Sequence, residues 1–227
     1  MGVDFNLKIH STKPAYSAIL ALHITFMTQK SFIFIGRSGC GKGTQAKMLM
    51  EYLKTQSERR EVIYIQTGAE LRDFIKGDNL SHTQKMVKDI YDVGGLQREF
   101  VVVYMWAKVL VDKFTGKEHI IFDGCPRKFH EAGVMDSVFE FYKLQKPYVI
   151  HLDIDKETSI DRLLSRGRMD DDRKVIEERL SWYEKDVVPA IKYYEDGGAH
   201  KFIRIDGKLP REEIFAEIAK EITSAIN

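Results

Sequence analysis

The sequence has little of what marks a secreted, membrane-bound or nucleic-acid-binding protein. It contains only two cysteines, Cys40 and Cys125, which are too few for a disulfide framework or a zinc site. Lysine and arginine total 35 against 34 aspartates and glutamates, so no excess of positive charge would attract nucleic acid or an anionic membrane. No basic stripe with interleaved aromatic residues is present either. These shortages predict a reduced, cytoplasmic protein with neither nucleic acid nor membrane as its partner.

One apolar stretch, Ala15 to Met27, superficially resembles a signal sequence or a membrane-spanning helix. A membrane-spanning helix requires about 20 consecutive apolar residues, whereas this stretch is shorter and includes His23 and Thr25. It also lacks a clean small-residue cleavage site for a signal peptide. Two interpretations of residues 1–29 stay open: an added helix packed on the domain, or leader sequence before a functional start at Met27. We favour the second, because the first predicted strand follows directly.

What the sequence does contain is an alternation of short apolar runs with helical stretches. This order is typical of a parallel sheet covered by helices on both faces, and it predicts an α/β fold with a doubly wound five-stranded sheet. The predicted strands are Ser31–Ile35, Val62–Gln66, His119–Phe122, Tyr148–Asp153 and Lys201–Ile205. Helices after the fourth strand are predicted over Lys156–Arg166, about Arg173–Tyr183, Pro189–Tyr194 and Glu212–Ile226.

Between the second and third strands lies a helical region that is too long for an ordinary crossover. It runs from Ala69 to Phe114 and is broken at Gly77–Asn79 and at Gly94–Gly95. Because connections within compact domains are mostly short, we expect part of this region to form a small helical subdomain beside the binding cleft.

A glycine-rich loop follows the first strand. Gly36, four further residues, Gly41 and Lys42 have the spacing of a Walker A phosphate loop, although Gly43 separates the lysine from Thr44. Glycines let backbone N–H groups face phosphate oxygens, the following helix adds its positive end, and the lysine supplies a mobile charge. The pattern therefore predicts a binding site for nucleotide phosphates.

Asp123 follows a central apolar run, at the edge of the sheet where α/β proteins bind ligands. A carboxylate beside a phosphate loop can hold Mg²⁺ through the water shell of the ion. The alternative is an aspartate that only caps a helix or a turn. We expect the metal role, shared with the hydroxyl of Thr44.

The segment Asp123-Gly124-Cys125-Pro126-Arg127 resembles the Asp-Gly-Phe-Pro-Arg signature of adenylate kinases and related nucleoside monophosphate kinases. The loop at Gly36–Gln45 is similar to the Gly-x-x-Gly-x-Gly-Lys-Gly-Thr-Gln of that family, which accounts for Gly43. Further motifs occur in the order expected of the family, and together they span about residues 31 to 210. They are Thr67-Gly68-x-x-x-Arg72, Gly95-Leu96, Asp161-Arg162-Leu163-x-x-Arg166, Arg168-x-Asp170-Asp171 and Arg179-Leu180-x-x-Tyr183.

The resemblance implies a monomeric P-loop kinase domain over residues 30–227, with an insert for the nucleoside monophosphate at about 67–97 and a minimal lid at about 166–172. It implies Mg²⁺-dependent transfer of a phosphoryl group from ATP to the monophosphate. The implied catalytic residues are Lys42, Arg127, Arg166, Arg168 and Arg179. Those for ATP are Gly39, Cys40, Gly41, Lys42, Gly43, Thr44, Arg162 and Arg166. Those for the monophosphate are Thr67, Gly68, Arg72, Gly95, Leu96, Gln97, Gly124, Arg127 and Glu131.

The implied reaction agrees with the chemistry of these side chains. The attacking oxygen belongs to an already ionised monophosphate, so no general base is needed, and catalysis consists of aligning two nucleotides and neutralising charge. Guanidinium groups suit this work because they offer forked donors to phosphate oxygens. The two cysteines are then expected to be turn residues and not nucleophiles.

Two departures from the family pattern concern the lid and the metal. Only residues 167–169 separate Arg166 from Asp170, so other groups must exclude water from the reaction, or ATP hydrolysis without an acceptor should be higher. Ala69 occupies the place of the usual aspartate after Thr-Gly, which puts more of the metal positioning on Asp123 and Thr44, with or without help from Glu70.

A third departure concerns the acceptor base. Glu131 stands where adenine-selective relatives carry glutamine, and an ionised glutamate only accepts hydrogen bonds, which suits guanine better. Thr67 instead resembles the AMP-selective members. AMP is the predicted acceptor, and GMP or a pyrimidine monophosphate is the alternative. An alternative of another class is a P-loop regulatory protein that binds ATP without transferring phosphate, and the acceptor-side arginines argue against it.

Overall fold

The computed structural model describes residues 29–56, 60–167, 172–197 and 200–224. Five strands lie within one residue of the predicted bounds. They are β1 (Ser31–Ile35), β2 (Val62–Gln66), β3 (His119–Asp123), β4 (Tyr148–Asp153) and β5 (Lys201–Asp206). The predicted leader, up to residue 28, the predicted catalytic Arg168 and residues 168–171 of the predicted lid lie outside the described residues.

The strands form one parallel sheet in the order β2-β3-β1-β4-β5. The predicted doubly wound, five-stranded parallel sheet is confirmed. Strands β1 and β3 are buried along their whole length, whereas the edge strands β2 and β5 alternate buried with more exposed positions. This difference explains why the central strands read as continuous apolar runs: both of their faces are covered.

Nine α-helices and one π-helical turn surround the sheet within the described part of the chain. They are α1 (Lys42–Gln56), α2 (Thr67–Phe74), α3 (His82–Asp92), α4 (Glu99–Lys113), α5 (Phe129–Phe141), α6 (Lys156–Arg166), α7 (Arg173–Ser181), the π turn (Tyr183–Val187), α8 (Val188–Asp196) and α9 (Arg211–Ser224). No helix of the described ranges is long and apolar enough to cross a membrane.

Each face of the sheet has its own hydrophobic core. Along β1, Ile33 and Ile35 point to the face covered by α4, α5, the π turn and α8, where Trp106 packs edge-on against Phe122 with ring centroids 6.1 Å apart. The alternate residues Phe32 and Phe34 point to the opposite face, which α1 and α9 cover. The alternation of side chains along each strand thus divides one apolar run between two cores.

The long helical region between β2 and β3 breaks at the predicted glycines. Helix α2 ends before Gly77, and α3 ends before Gly94. A capping box begins α3: the Ser81 backbone N–H donates to Gln84 Oε1 (2.8 Å), and the Gln84 backbone N–H donates to Ser81 Oγ (3.3 Å). The extent of the acceptor insert, 67–97, stays a prediction.

The prediction of one continuous helix from about Arg173 to Tyr183 was wrong. The stretch from Arg173 to Tyr183 is not a single helix, because α7 ends at Ser181 and the chain enters the π turn at Tyr183. Such turns are rare and cannot be read from a 3.6-residue pattern. The π turn places Tyr183 against the phosphate loop, as described below.

Candidate active site

The phosphate loop passes directly over the end of β4. At Gly36 φ is +141°, and a Cβ atom there would lie 2.5 Å from the carbonyl oxygen of Leu152, so only glycine fits this approach. The Lys42 ammonium lies within the loop and donates to the carbonyl oxygens of Gly36 (2.8 Å) and Arg37 (2.9 Å). The loop therefore holds its cation at the N-terminus of α1, where a phosphate group would also be attracted.

Arg37, a loop residue that the sequence analysis did not single out, anchors the loop from outside. Its Nε donates to the carbonyl oxygen of Ile154 (3.2 Å), and its Nη2 pairs with Glu184 (2.6 Å). Its guanidinium carbon lies 3.9 Å from the centroid of the Tyr183 ring. Because Glu184 and Tyr183 belong to the π turn, this turn fixes the position of the phosphate loop.

Asp123, the predicted metal-positioning residue, is 5% exposed at the end of β3. Its Oδ2 accepts hydrogen bonds from the Tyr64 hydroxyl (2.7 Å) and from Gln66 Nε2 (2.9 Å). A Cβ atom on Gly43 would lie 3.2 Å from that same oxygen, so the extra glycine leaves room for the carboxylate beside the first turn of α1. Tyr64 and Gln66 were not predicted as site residues. They reach Asp123 through the pairing of β2 with β3, in which Gln66 lies opposite Asp123, and no sequence motif marks that register.

A cleft beside the loop brings three of the predicted catalytic residues together. Lys42 from α1, Arg127 from the turn after β3, and Arg179 from α7 all line it. Arg166 is exposed at the end of α6 and does not line this cleft. The three cations converge from separate parts of the sequence, so the cleft is suited to an anionic ligand.

Arg127 is held in a folded-back conformation. Its Nε donates to the carbonyl oxygen of Gly124 (2.8 Å), and its guanidinium carbon lies 5.6 Å from the centroid of the Trp182 ring. Trp182 follows α7 directly and was not predicted as a site residue. The signature turn and the segment after α7 thus meet at one guanidinium group.

Glu131, the predicted reader of the acceptor base, lies in the first turn of α5 and is 2% exposed. Its Oε2 accepts from the backbone N–H groups of Arg127 (2.5 Å) and Lys128 (3.1 Å). Burial raises the pKa of this carboxyl, while the hydrogen bond from the Arg127 N–H and the charge of Arg127 lower it. One carboxylate oxygen therefore stabilises the start of α5.

The predicted acceptor residues surround the start of α2 and the end of α3. The position that a Cβ atom would take on Gly68 is 3.5 Å from Arg72 Nη1, and Thr67 is buried beside them. Gln97 is also buried, and its Nε2 donates to the carbonyl oxygen of Val87 (2.9 Å). Its Oε1 has no hydrogen-bond partner within the described ranges. A buried acceptor of this kind is suited to a donor group on a ligand. Gly95 and Leu96 are half-buried on the same loop.

The predicted ATP-binding residue Arg162 lies on α6. Its Nη1 donates to the carbonyl oxygen of Gly207 (2.7 Å), so the arginine joins α6 to the loop after β5. Thr44 is exposed in the first turn of α1. Both cysteines are free and buried, and burial raises the pKa of the Cys125 thiol. A buried thiol of raised pKa is a poor nucleophile, in agreement with its interpretation as a turn residue.

Comparison with known proteins identifies the family. The family model described as adenylate kinase matches residues 34–199. The adenylate kinase of Prochlorococcus marinus subsp. pastoris is 34% identical over 194 residues, which cover 86% of this chain and 98% of the relative. The adenylate kinase 1 of Nostoc sp. is 33% identical over 194 residues, covering 85% and 98%. The adenylate kinase of Encephalitozoon cuniculi is 27% identical over 198 residues, covering 86% and 99%.

These matches cover the phosphate loop, the signature turn and α7 alike, so the resemblance inferred from separate motifs is confirmed. The chain belongs to the adenylate kinase family, whose enzymes transfer a phosphoryl group between nucleotides.

Proposed function

We propose that this protein catalyses the reversible, Mg²⁺-dependent reaction ATP + AMP = 2 ADP. The observation that carries the proposal is the convergence of Lys42, Arg127 and Arg179 on one cleft between the phosphate loop and the signature turn. No carboxylate and no histidine is found among the described residues that line the cleft. This composition favours positioning and charge neutralisation over general-base chemistry.

In the proposed reaction an ionised oxygen of the monophosphate attacks the γ-phosphorus of ATP. A new P–O bond forms in line with the P–O bond to ADP, which breaks, and no proton has to be removed from the attacking oxygen. Lys42 binds the phosphates of ATP, with the backbone N–H groups of the loop. Arg72 and Arg127 bind the phosphate of the acceptor. Arg166, Arg168 and Arg179 neutralise the moving phosphoryl group.

The residues at the end of β3 fit a magnesium ion that is bound mainly through water. Asp123 lies against the first turn of α1, which carries Thr44, and Tyr64 and Gln66 hold one of its oxygens in place. Within the described ranges no group of three or more histidine, cysteine, aspartate or glutamate side chains could form a metal cage. A Mg²⁺ ion would not need such a cage, because it usually keeps several of its waters and is bound by one or two carboxylates together with substrate phosphates. When bound, the ion neutralises charge on the phosphates of ATP.

AMP is the proposed acceptor, because the overall family match supports it more than Glu131 opposes it. Thr67, Gly68, Arg72, Gly95, Leu96, Gln97 and Gly124 would form the rest of its site. The buried Oε1 of Gln97 would accept from the acceptor nucleotide. We also propose a monomer in the cytoplasm, and the two free cysteines support the compartment, since unpaired thiols suit a reducing environment.

A panel of monophosphates tests the proposal. ADP formation from ATP is measured with AMP, GMP, CMP and UMP, and we expect the highest kcat/KM with AMP. A higher value with GMP or a pyrimidine nucleotide would overturn the acceptor assignment. ATP binding without transfer to any of the four would favour the P-loop regulatory protein instead.

The variant Arg72→Ala also distinguishes the proposed kinase from the P-loop regulatory protein, because only the kinase needs Arg72 to bind a monophosphate. Removing a guanidinium from the acceptor phosphate should raise KM for AMP, since hydrogen bonds to charged groups contribute roughly 1.5–3 kcal/mol. KM for ATP should stay within about twofold of the wild-type value. Lys85→Ala, which removes an exposed cation from α3, is the matched control and should leave both values unchanged.

A further inference from the structure

Trp182 touches both the acceptor-phosphate arginine and the insert. Its indole Nε1 donates to the carbonyl oxygen of Gly94 at 3.1 Å, and its ring centroid lies 5.6 Å from the guanidinium carbon of Arg127. Gly94 begins the loop that carries Gly95 to Gln97, and Trp182 follows α7, which carries Arg179. One side chain thus contacts the two sides of the proposed acceptor site.

The backbone reinforces this contact. Gly94 is buried with φ at +76°, and a Cβ atom there would lie 2.6 Å from the carbonyl oxygen of Val175 in α7. The loop after α3 therefore approaches α7 more closely than any side chain would permit. The contact of the insert with α7 and the residue after it thus includes this backbone approach and the indole hydrogen bond.

We propose that Trp182 is a positioning residue that holds Arg127 and the Gly94–Gln97 loop in fixed relation around the acceptor phosphate, an inference that rests on the proposed kinase function. Arg127 and Arg179 line the same cleft and repel one another. The electron-rich face of an indole stabilises a guanidinium group, and it also restricts a long, flexible side chain. The indole N–H meanwhile fixes the loop through Gly94.

The contact between Trp182 and Gly94 also holds Arg179 near the acceptor loop, which the short connection between α6 and α7 cannot do. Helix α6 ends at Arg166 and α7 begins at Arg173, so the segment 167–172 is short for a lid that would close over two nucleotides. A direct contact from the segment after α7 to the insert keeps Arg179 and the acceptor loop together without a long lid. Trp182 should therefore affect the acceptor more than ATP.

Two substitutions separate the two contacts of Trp182. Trp182→Phe keeps an aromatic face for Arg127 but removes the N–H, and Trp182→Leu removes both. We expect Trp182→Phe to raise KM for the monophosphate about 2–10-fold, the effect of one neutral hydrogen bond. Trp182→Leu should raise it further and also lower kcat, while KM for ATP stays within about twofold in both variants.

Tyr142→Leu is the matched control. It removes a half-buried ring that packs on Phe114 at the far end of α5, with centroids 4.9 Å apart, so it should lower stability without changing KM for the monophosphate. Thermal unfolding of each variant shows whether it is folded. Equal effects of Trp182→Leu on KM for ATP and for the monophosphate, or no effect on either, would overturn the proposal.

A spectroscopic measurement tests the same inference independently of turnover. The sequence has two tryptophans, and Trp106 is buried in the core, so Trp106→Phe leaves Trp182 as the single reporter. Adding AMP alone should shift the emission of Trp182, because its neighbour Arg127 binds the phosphate. An emission unchanged by saturating AMP would contradict the positioning role.

The activity of the wild-type chain and amide hydrogen exchange together distinguish failure of this inference from failure of the proposed function. If the wild-type chain phosphorylates no monophosphate, the proposed function is wrong and the positioning role in catalysis falls with it. If it is active but Trp182→Phe leaves both KM for AMP and amide exchange at residues 94–97 unchanged, only the role of Trp182 is wrong. We expect faster exchange at residues 94–97 in that variant.

Discussion

At the scale of single residues, Gly43 connects the phosphate loop with Asp123, the proposed magnesium-positioning residue. A family-typical glycine between Lys42 and Thr44 has no obvious use in binding phosphate. In the structure it has a packing role, because Asp123 Oδ2 and Gln66 Nε2 each lie 3.2 Å from the place that a Cβ atom of residue 43 would take. The glycine therefore allows the buried carboxylate to lie against α1.

This geometry predicts the effect of Gly43→Ala. The added methyl group should displace Asp123 and Gln66, and such overpacking costs about 1–3 kcal/mol, while replacing glycine in a helix gains roughly 0.5–1 kcal/mol. The free energy of unfolding should therefore fall by up to about 2 kcal/mol. Displacing the carboxylate should also raise the Mg²⁺ concentration needed for the half-maximal rate. Urea unfolding and ADP formation at a series of Mg²⁺ concentrations check both effects.

Gly133→Ala is the control for that variant. Gly133 lies in α5, and a Cβ atom there would meet nothing within 4 Å, so the substitution should stabilise the helix by roughly 0.5–1 kcal/mol. An identical Mg²⁺ dependence in Gly43→Ala and the wild type would show that the close approach of Gly43 to Asp123 has no functional role.

Glu131→Gln tests the base selectivity that this position predicts. The glutamine oxygen can still accept from the backbone N–H groups of Arg127 and Lys128, while its amide group gains a donor for adenine N1. We expect the ratio of kcat/KM for AMP to that for GMP to rise about tenfold or more, because a missing donor in a polar site is costly. The monophosphate panel measures this ratio.

Glu140→Gln, an exposed glutamate of the same helix, is the control and should leave the ratio unchanged. If Glu131→Gln also leaves it unchanged, Glu131 serves only to stabilise the start of α5. The stability of Glu131→Gln should stay equal to that of the wild type or rise slightly, because the glutamine oxygen keeps both backbone hydrogen bonds and the buried charge, whose desolvation raises the pKa of Glu131, is removed.

At the scale of elements, the strands were predictable because their apolar runs are short and bounded. β1 and β3 are buried on both faces and read as continuous apolar segments, and the glycine breaks at 77 and 94 marked the ends of α2 and α3 correctly. The phosphate loop was predictable for a similar reason, since its function depends on local spacing. The resemblance to a family then supplied distant residues that spacing alone does not connect.

Other contacts depend on register and three-dimensional packing, so the sequence could not show them. Tyr64 and Gln66 reach Asp123 because β2 pairs with β3 in one particular register. Arg37 and Tyr183 meet because a π turn replaces a regular helix after α7. Each of these residues alone resembles an ordinary surface or core position.

The loop after α3 lies close against α7 at Gly94. Gly94→Ala should be more destabilising than Gly77→Ala, although both glycines have positive φ, +76° and +105°. A left-handed conformation costs a non-glycine residue about 1–2 kcal/mol at either position. Only at Gly94 would the new Cβ atom also meet a backbone oxygen, that of Val175.

Urea unfolding of the two variants isolates the contact, because the conformational cost is common to both. We expect Gly94→Ala alone to raise KM for the monophosphate as well, since the loop must move away from α7. Equal losses of stability with no difference in KM would mean that the insert does not depend on α7.

At the scale of the whole molecule, two buried histidines lie in the sheet. His119 of β3 is 2% exposed, and its Nδ1 accepts from the Lys30 backbone N–H (3.1 Å). His151 of β4 is 4% exposed, and its Nε2 lies 3.4 Å from the Tyr183 hydroxyl. Burial lowers the pKa of each to about 4, and the charge of Arg60 adds to the effect at His119. At His151, Arg204, Lys42 and Arg37 lower the pKa further while Asp153 raises it.

These pKa values predict that the protein loses stability in mild acid. Between about pH 6.5 and pH 4 the unfolded chain binds protons at both histidines while the folded chain does not, so the free energy of unfolding falls as the pH falls. Each histidine contributes up to about 3 kcal/mol to this loss. Glu131, whose pKa is raised, acts in the opposite direction, and Asp136, whose pKa is lowered, acts only at lower pH.

Urea unfolding between pH 7.5 and pH 4.5 checks the prediction. His119→Asn keeps an acceptor in place of Nδ1, and His151→Gln keeps a polar group near Tyr183, so each should remove about half of the histidine contribution to the loss. His130→Asn is the control, because that side chain is 79% exposed and should leave the dependence on pH unchanged. If both core variants kept the wild-type dependence of the free energy of unfolding on pH, the sheet would not be holding these two histidines neutral, and the acid sensitivity would come from other groups.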